Sequence, residues 1–314
     1  VLDGAATRSA GAEEHAVRTT HATSSRVIVI TAVMIVLATA FAIVSHAVLP
    51  APVDDLDFDS ALVRLVGFPV VAVSYFLLLF AHCAIVLQTF GRRSGLPKLE
   101  VGWRFGLAFA LLYLVGMQEV VVDASPFEAW GREFVVYQFF MGAGDAVPVF
   151  ALCMVLAYLT LAPGRRAASG SLSARDAIAI VAVIALAFFV QRTIGHTTGL
   201  VHSNIESYPV QTHLWTALFG AVLGYVYVVL YPVFSRRDGP VARSIRLVLL
   251  TIGINWLLFN SFIGLLFSDV MPQMLLRSGL DTAVVFVASI VVLGYVSTSR
   301  ANDQVTGPMS TSPK

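Results

Sequence analysis

Apolar residues in this chain fall in long unbroken runs, not in the alternating or one-in-three-to-four patterns of strands and helices that keep one face in water. A helix rising about 1.5 Å per residue needs about 20 such residues to cross roughly 30 Å of hydrocarbon. Eight runs meet or approach that length, at approximately 27–48, 65–90, 104–123, 134–162, 176–196, 212–234, 247–268 and 282–298. The fifth crosses only by continuing through Gln191, Arg192 and His196. The first is too long for the apolar part of a secretory signal and reads as an uncleaved anchor.

Composition agrees with the pattern. Of the 314 residues 57 % are hydrophobic and 12 % charged, against about 25 % charged in an ordinary soluble domain. So little charge cannot coat a soluble globule of this size, which excludes soluble, nucleic-acid-binding and disulfide-stapled classes. The expected fold is all-α: one polytopic transmembrane helical bundle of about eight spans over 26–298, whose partner is the lipid bilayer and not nucleic acid. The aperiodic polar segments 1–25 and 299–314 are expected to be disordered cytoplasmic tails.

Charge placement sets the orientation. With eight spans, sixteen of the twenty Lys and Arg fall on the side of the termini, and only Arg64, Arg132, Arg192 and Arg277 fall on the other. The positive-inside rule then puts both termini in the cytoplasm, in a cell (inner) membrane. Gly220 and Gly224, four apart in the sixth span, predict a close helix contact inside the bundle. Cys83 and Cys153 lie in apolar runs and read as small buried hydrophobes.

An ionisable group within a span is a functional candidate, because it costs roughly 2.5–3.5 kcal/mol at the helix centre unless it faces the bundle or water. Asp145 is the deepest, about 17 Å along its span from the outer end. It stands in Met141-Gly-Ala-Gly-Asp-Ala-Val-Pro148, where glycines and a proline weaken the helix on both sides. Asn255 lies at a similar depth in the seventh span, which predicts an Asp145–Asn255 hydrogen bond. Nearer the outer ends, Glu119 and Asp123 share one helix face at a spacing of four, as do Arg192 and His196. His46, His196, His202 and His213 all fall at that side, where they could bind a divalent transition metal or a haem, or relay protons. His82 is expected to face the bundle and bond a backbone carbonyl.

Gly142-Ala-Gly-Asp145 resembles the GxGD motif of intramembrane aspartyl proteases of the presenilin and prepilin-peptidase types. That resemblance implies a catalytic Asp145 with a second carboxyl nearby, for which the preceding span offers Glu119 or Asp123. Counting residues instead sets Glu119 roughly 8–10 Å above Asp145. The outer loop Asp54-Asp55-Leu-Asp57-Phe-Asp59 is similar to the acidic motifs of UbiA-type prenyltransferases, but it faces the opposite side and has no second acidic motif. A Walker A string is absent from the sequence, as is any Lys within a span.

These residues point first to a proton- or cation-coupled transporter, or a transport-accessory subunit with a partner subunit or as a homo-oligomer. Asp145, Asn255, Glu119, Asp123 and Arg192 are its substrate- or proton-path candidates. An intramembrane enzyme, either a GxGD-like peptidase or an outer-face metalloenzyme on His46, His196, His202 and His213, is the alternative. A non-catalytic scaffold or immunity-type protein is the third reading.

Overall fold

The computed structural model describes residues 25–49, 58–119, 132–164, 172–234 and 239–295 with their side chains, and 3–24 and 296–305 by backbone alone. Asp123, most of the acidic outer loop and the side chains of the two tails, Ser25 apart, lie outside the described residues. Among the described residues eight helices are long and apolar enough to cross a membrane: α1 Ser25–Val48, α2 Phe68–Ser94, α3 Lys98–Gly116, α4 Arg132–Thr160, α5 Ala174–Thr197, α6 Pro209–Val233, α7 Pro240–Leu266 and α8 Met271–Tyr295. The expected all-helical bundle of eight spans is therefore present.

α1 packs on α2 and α4, and α3 on α4; α5 packs on α6 and α8, and α7 on α8. The two groups of four meet where α2 lies against α7 and α3 against α6. Large aromatic side chains fill the interior, with Phe80, Phe105, Phe109, Phe188 and Phe219 fully buried. Exposed Ile28, Val33, Leu78, Ile85, Leu186, Val287 and Val291 face outward instead. A bundle that is apolar outside as well as inside suits lipid and not water.

Four boundaries differ from the hydropathy reading by six residues or more: α3 begins at Lys98 and α7 at Pro240, each before its expected start, and the other two bear on the site. α3 ends at Gly116, short of 123, and α8 begins at Met271, well before 282. The first part of α8 carries Arg277 and Asp281, which lower its hydropathy although both are buried. Their charges are met by partners inside the bundle, so a polar stretch is tolerated where an unpaired one would be costly.

Local chemistry sets several helix ends. The Ser60 hydroxyl accepts from Val63 N at 3.0 Å and caps the short helix Ala61–Val66, and Gly67, at φ +83°, then turns the chain into α2. Asp59 ties this entry to the α7–α8 turn: its Oδ1 accepts from Ser268 N at 2.9 Å. That backbone bond holds the Asp59 carboxyl below its ordinary value. In α7 the segment Ile245–Gly253 is a π-helix, in which the Thr251 hydroxyl donates to Arg246 O, five residues back, at 2.8 Å. π segments are rare and widen a helix locally, and this one ends just before buried Asn255 and Trp256.

Small residues let helices approach where the site requires it. A Cβ on Gly224 would come within 2.7 Å of the Val181 backbone and one on Gly220 within 3.0 Å of Ala185 O, so the predicted close contact is α6 against α5. In α4, a Cβ on Gly142 would meet the Leu114 backbone of α3 at 3.1 Å, and one on Gly144 would meet Ser45 Cβ at 3.1 Å and His46 Cδ2 at 3.3 Å. The glycines of the Gly-Ala-Gly-Asp string thus admit α3 on one side and α1 on the other.

Gly144→Val should therefore lower stability by about 1–3 kcal/mol through overpacking, read as a fall in the unfolding temperature in detergent, whereas Gly279→Ala, where an added Cβ meets nothing within 4 Å, should change it little. The Asp59 clamp, whose carboxyl titrates lower in the folded protein, stabilises above the ordinary carboxylate value of about 4. Its contribution is lost as pH falls through the depressed value, so Asp59→Asn should speed amide exchange in the α7–α8 turn at pH 7 and do so progressively less as pH is lowered below about 4.

Candidate functional site

Among the described residues four buried polar clusters lie inside the bundle, one of them Arg243–Tyr231 with the adjoining Ser244–Ser289, and the largest is built on Arg192 of α5. Its guanidinium takes Asp281 of α8 in a two-pronged contact, Nε to Oδ1 at 2.7 Å and Nη2 to Oδ2 at 2.6 Å. It also donates to Glu119, which follows the end of α3. Trp256 Nε1 of α7 donates to Asp281 Oδ2 at 3.0 Å. Arg277, one turn before Asp281, reaches Glu119 at 3.2 Å and Asn260 Oδ1 at 3.1 Å. Arg192, Asp281 and Glu119 are 1 %, 1 % and 2 % exposed. Each charge is thus neutralised by short charge-assisted bonds instead of by water.

The second cluster is a histidine–aspartate contact between helices α1 and α4. His46 Nε2 stands 3.0 Å from Asp145 Oδ1. Asp145 is 1 % exposed, and the histidine side chain 15 %. The approach does not make an aligned hydrogen bond, and both atoms are buried without one. Pro148 lies one turn beyond Asp145 and removes the N–H that would bond the Gly144 carbonyl.

The third cluster centres on Asn255. Its Nδ2 donates to Tyr113 Oη at 2.9 Å and to Cys83 Sγ at 3.3 Å, while His82 Nε2 lies 3.0 Å from Leu250 O. The expected Asp145–Asn255 hydrogen bond is not made. Comparable depth did not imply a shared face: α7 turns Asn255 toward α2 and α3, and Asp145 points to α1.

The first two clusters share a cavity of about 40 Å³, lined by His46, Tyr75, Glu119, Asp145, Asn260 and Arg277 among others. Its volume suits about two or three waters. Glu119 Oε2 and Asp145 Oδ1, both on residues lining it, are buried without a hydrogen-bond partner. The separation expected between Glu119 and Asp145 does not isolate them, because α3 ends early and Glu119 turns inward.

The histidines do not gather. His46 meets Asp145; His213 Nδ1 lies 2.7 Å from Pro209 O of its own helix; His202 is exposed in the α5–α6 connection; His196 Nε2 is buried without a hydrogen-bond partner. Among the described residues no three His, Cys, Asp or Glu side chains stand where they could hold a metal ion. Sequence reasoning missed Asp281, Arg277, Trp256, Asn260 and Tyr75. The one available signal was the spacing of four between Arg277 and Asp281, which puts both on one helix face.

Eight apolar helices around a neutralised ionic core define a polytopic integral membrane protein. The chain matches no protein-family model, no curated protein and no solved structure.

Removing one partner of a buried, hydrogen-bonded ion pair leaves the other charge uncompensated. Asp281→Ala should cost about 3–5 kcal/mol and sharply lower the unfolding temperature in detergent. Glu206→Ala, exposed in the α5–α6 connection, should leave that temperature nearly unchanged.

Proposed function

We propose that the protein is a proton- or cation-coupled transporter, or the membrane subunit serving one, with His46 and Asp145 as the binding point for the coupling ion. Charge balance is the observation that carries this reading. Glu119, Asp145 and Asp281 bring three carboxylates to the connected clusters, while Arg192 and Arg277 bring two guanidiniums. One cation is wanting, and His46 supplies it only when protonated. Imidazole gains and loses its proton near neutral pH, so this is a place where an ion is held and released within the span. The cavity beside the pair supports the same reading, since it has room for about two or three waters that would connect His46 and Asp145 with Glu119.

By the positive-inside rule, the end of the bundle nearer His46 faces away from the cytoplasm of a cell membrane. The coupling ion then enters from outside, and the Arg192 network closes the pathway laterally as a fixed, neutral wall. A peptidase dyad has less support. Two carboxyls sharing a proton must lie close and lack other neutralising partners, whereas Glu119 is already bonded to Arg192 and ion-paired with Arg277.

In liposomes holding a pH-sensitive dye, the wild-type protein under an imposed proton gradient should acidify the lumen faster than empty liposomes do. Asp145→Asn should remove that excess at least tenfold while retaining the wild-type elution profile and unfolding temperature to within a few degrees. Equal flux in wild-type and empty liposomes, or full flux in Asp145→Asn, would overturn the proposal.

A further inference from the structure

We propose that the chain is a fused pair of four-helix units, α1–α4 and α5–α8, related by a pseudo-twofold axis along the bundle. In this arrangement His46–Asp145 and Arg192–Asp281 are one site in two forms, the first switchable and the second locked by a permanent charge.

The packing itself carries the symmetry. Exchanging α1 with α5, α2 with α6, α3 with α7 and α4 with α8 converts the α1–α2, α1–α4 and α3–α4 contacts into α5–α6, α5–α8 and α7–α8, all of which occur, whereas the α2–α4 contact has no comparable α6–α8 counterpart. The same exchange converts the α2–α7 contact between the units into α6–α3, which also occurs. Parallel repeats about an axis normal to the membrane have this property.

Sequence echoes fall at matching places. α2 is entered by Phe68-Pro-Val and α6 by Tyr208-Pro-Val; α2 is left through Phe90-x-Arg-Arg-x-Gly95 and α6 through Phe234-x-Arg-Arg-x-Gly239. Within the fourth helix of each unit stand Asp145-x-x-x-Val-Phe150 and Asp281-x-x-x-Val-Phe286. Residues on a twofold axis must touch their own equivalents, and two pairs do. The rings of Phe90 and Phe234 lie 4.9 Å apart. Tyr113 and Asn255, each nine residues beyond an arginine of its helix (Arg104 and Arg246), share the 2.9 Å hydrogen bond.

Off the axis, contacts should come in matching pairs, and one pair matches in kind, with its two acceptors standing two residues out of register. Six residues on from Pro69 and Pro209 stand Tyr75 and Trp215. Tyr75 donates across to Phe259 O of α7 at 3.2 Å, and Trp215 donates across to Val115 O of α3 at 2.9 Å.

The symmetry makes the two acid–base pairs comparable. In each unit the aspartate before x-x-x-Val-Phe receives a basic group from near the end of the first helix. Ser45-His46 corresponds to Gly195-His196, and Arg192 lies one turn inward of His196. The longer guanidinium takes the aspartate there, and His196 Nε2 is left without a partner. Facing His46 and Asp145 are Tyr75 of α2, Glu119, Asn260 of α7 and Arg277 of α8. Facing Arg192 and Asp281 are Glu119, Trp256 and His196. Only the first pair contains a base that can discharge near neutral pH. This assignment stands on packing and residue chemistry, and holds whether or not the protein moves protons.

The test is the unfolding temperature of the full chain in detergent from pH 5 to pH 8. The loss caused by Asp145→Asn should be at least twice as large at pH 5, where His46 is charged, as at pH 8. In a His46→Arg background that loss should become independent of pH. The loss caused by Asp281→Asn should be independent of pH in the wild-type background and become pH-dependent in Arg192→His. An Asp145 effect that is flat in wild type, or that stays pH-dependent with His46→Arg, overturns the switchable and locked assignment. So does a flat Asp281 effect in a folded Arg192→His chain; if that variant does not fold, the His46→Arg comparison decides. The axis is tested by exchange. Tyr113→Asn and Asn255→Tyr should each lower the unfolding temperature, and the double exchange should regain at least half of the summed loss, because the pair is remade in reverse. No recovery overturns the twofold relation.

Discussion

A guanidinium inside an apolar bundle has to be met by groups that remain ionised, since the cost of desolvating it is several kcal/mol. Arg192 is that group here, and much of the architecture follows from satisfying it. Asp281 must come from α8 and Glu119 from the end of α3, so helices distant in sequence are drawn to one point. Glu119 in turn brings Arg277, and Asp281 brings the indole of Trp256. The result is neutral within itself, with Nε and Nη2 of Arg192 both bonded to carboxylates. A neutral wall of this kind lets the neighbouring His46–Asp145 pair be the place where charge changes.

The glycines beside Asp145 show how the same residues can be read twice. As a motif, Gly-Ala-Gly-Asp resembles catalytic strings of intramembrane proteases. As packing, Gly142 and Gly144 are the places where α3 and α1 press against α4 too closely for a Cβ. The second account explains the spacing without invoking chemistry, because positions two apart on a helix point about 200° from one another and so admit two different neighbours. Asp145, next in sequence, is thereby brought against His46.

The fold was legible because lipid imposes a length and a polarity on every span, and eight runs met both. Asp145 and Arg192 were legible for the complementary reason, as charged or bond-weakened positions inside such runs. What the sequence concealed was pairing. Hydropathy pushed the start of α8 past Arg277 and Asp281, since it scores each charge alone and cannot register that Glu119 and Arg192 neutralise them. Depth suggested Asn255 as a partner for Asp145, but depth says nothing of rotation about the helix axis. The π segment of α7 and its bundle-facing continuation set that rotation, and π geometry leaves no pattern that apolar periodicity can reveal.

Symmetry gives these facts a common order. If two like units faced each other across an axis with identical sites, both would titrate together and repel or attract across the shared Glu119. Replacing the switchable base by arginine in one unit removes that coupling: Asp281 keeps its charge partner at every physiological pH, and Glu119 stays engaged with it. The other unit can then gain or lose one proton against a constant background. A single switch in a duplicated frame is easier to hold stable than two, because the packing of α5–α8 does not depend on protonation. The cost is that the bundle's conformational response, if α1 and α4 separate when His46 discharges, must be borne by the first unit alone. Pro148 and the missing hydrogen bond at Gly144 put the weakest part of the helical scaffold at that place.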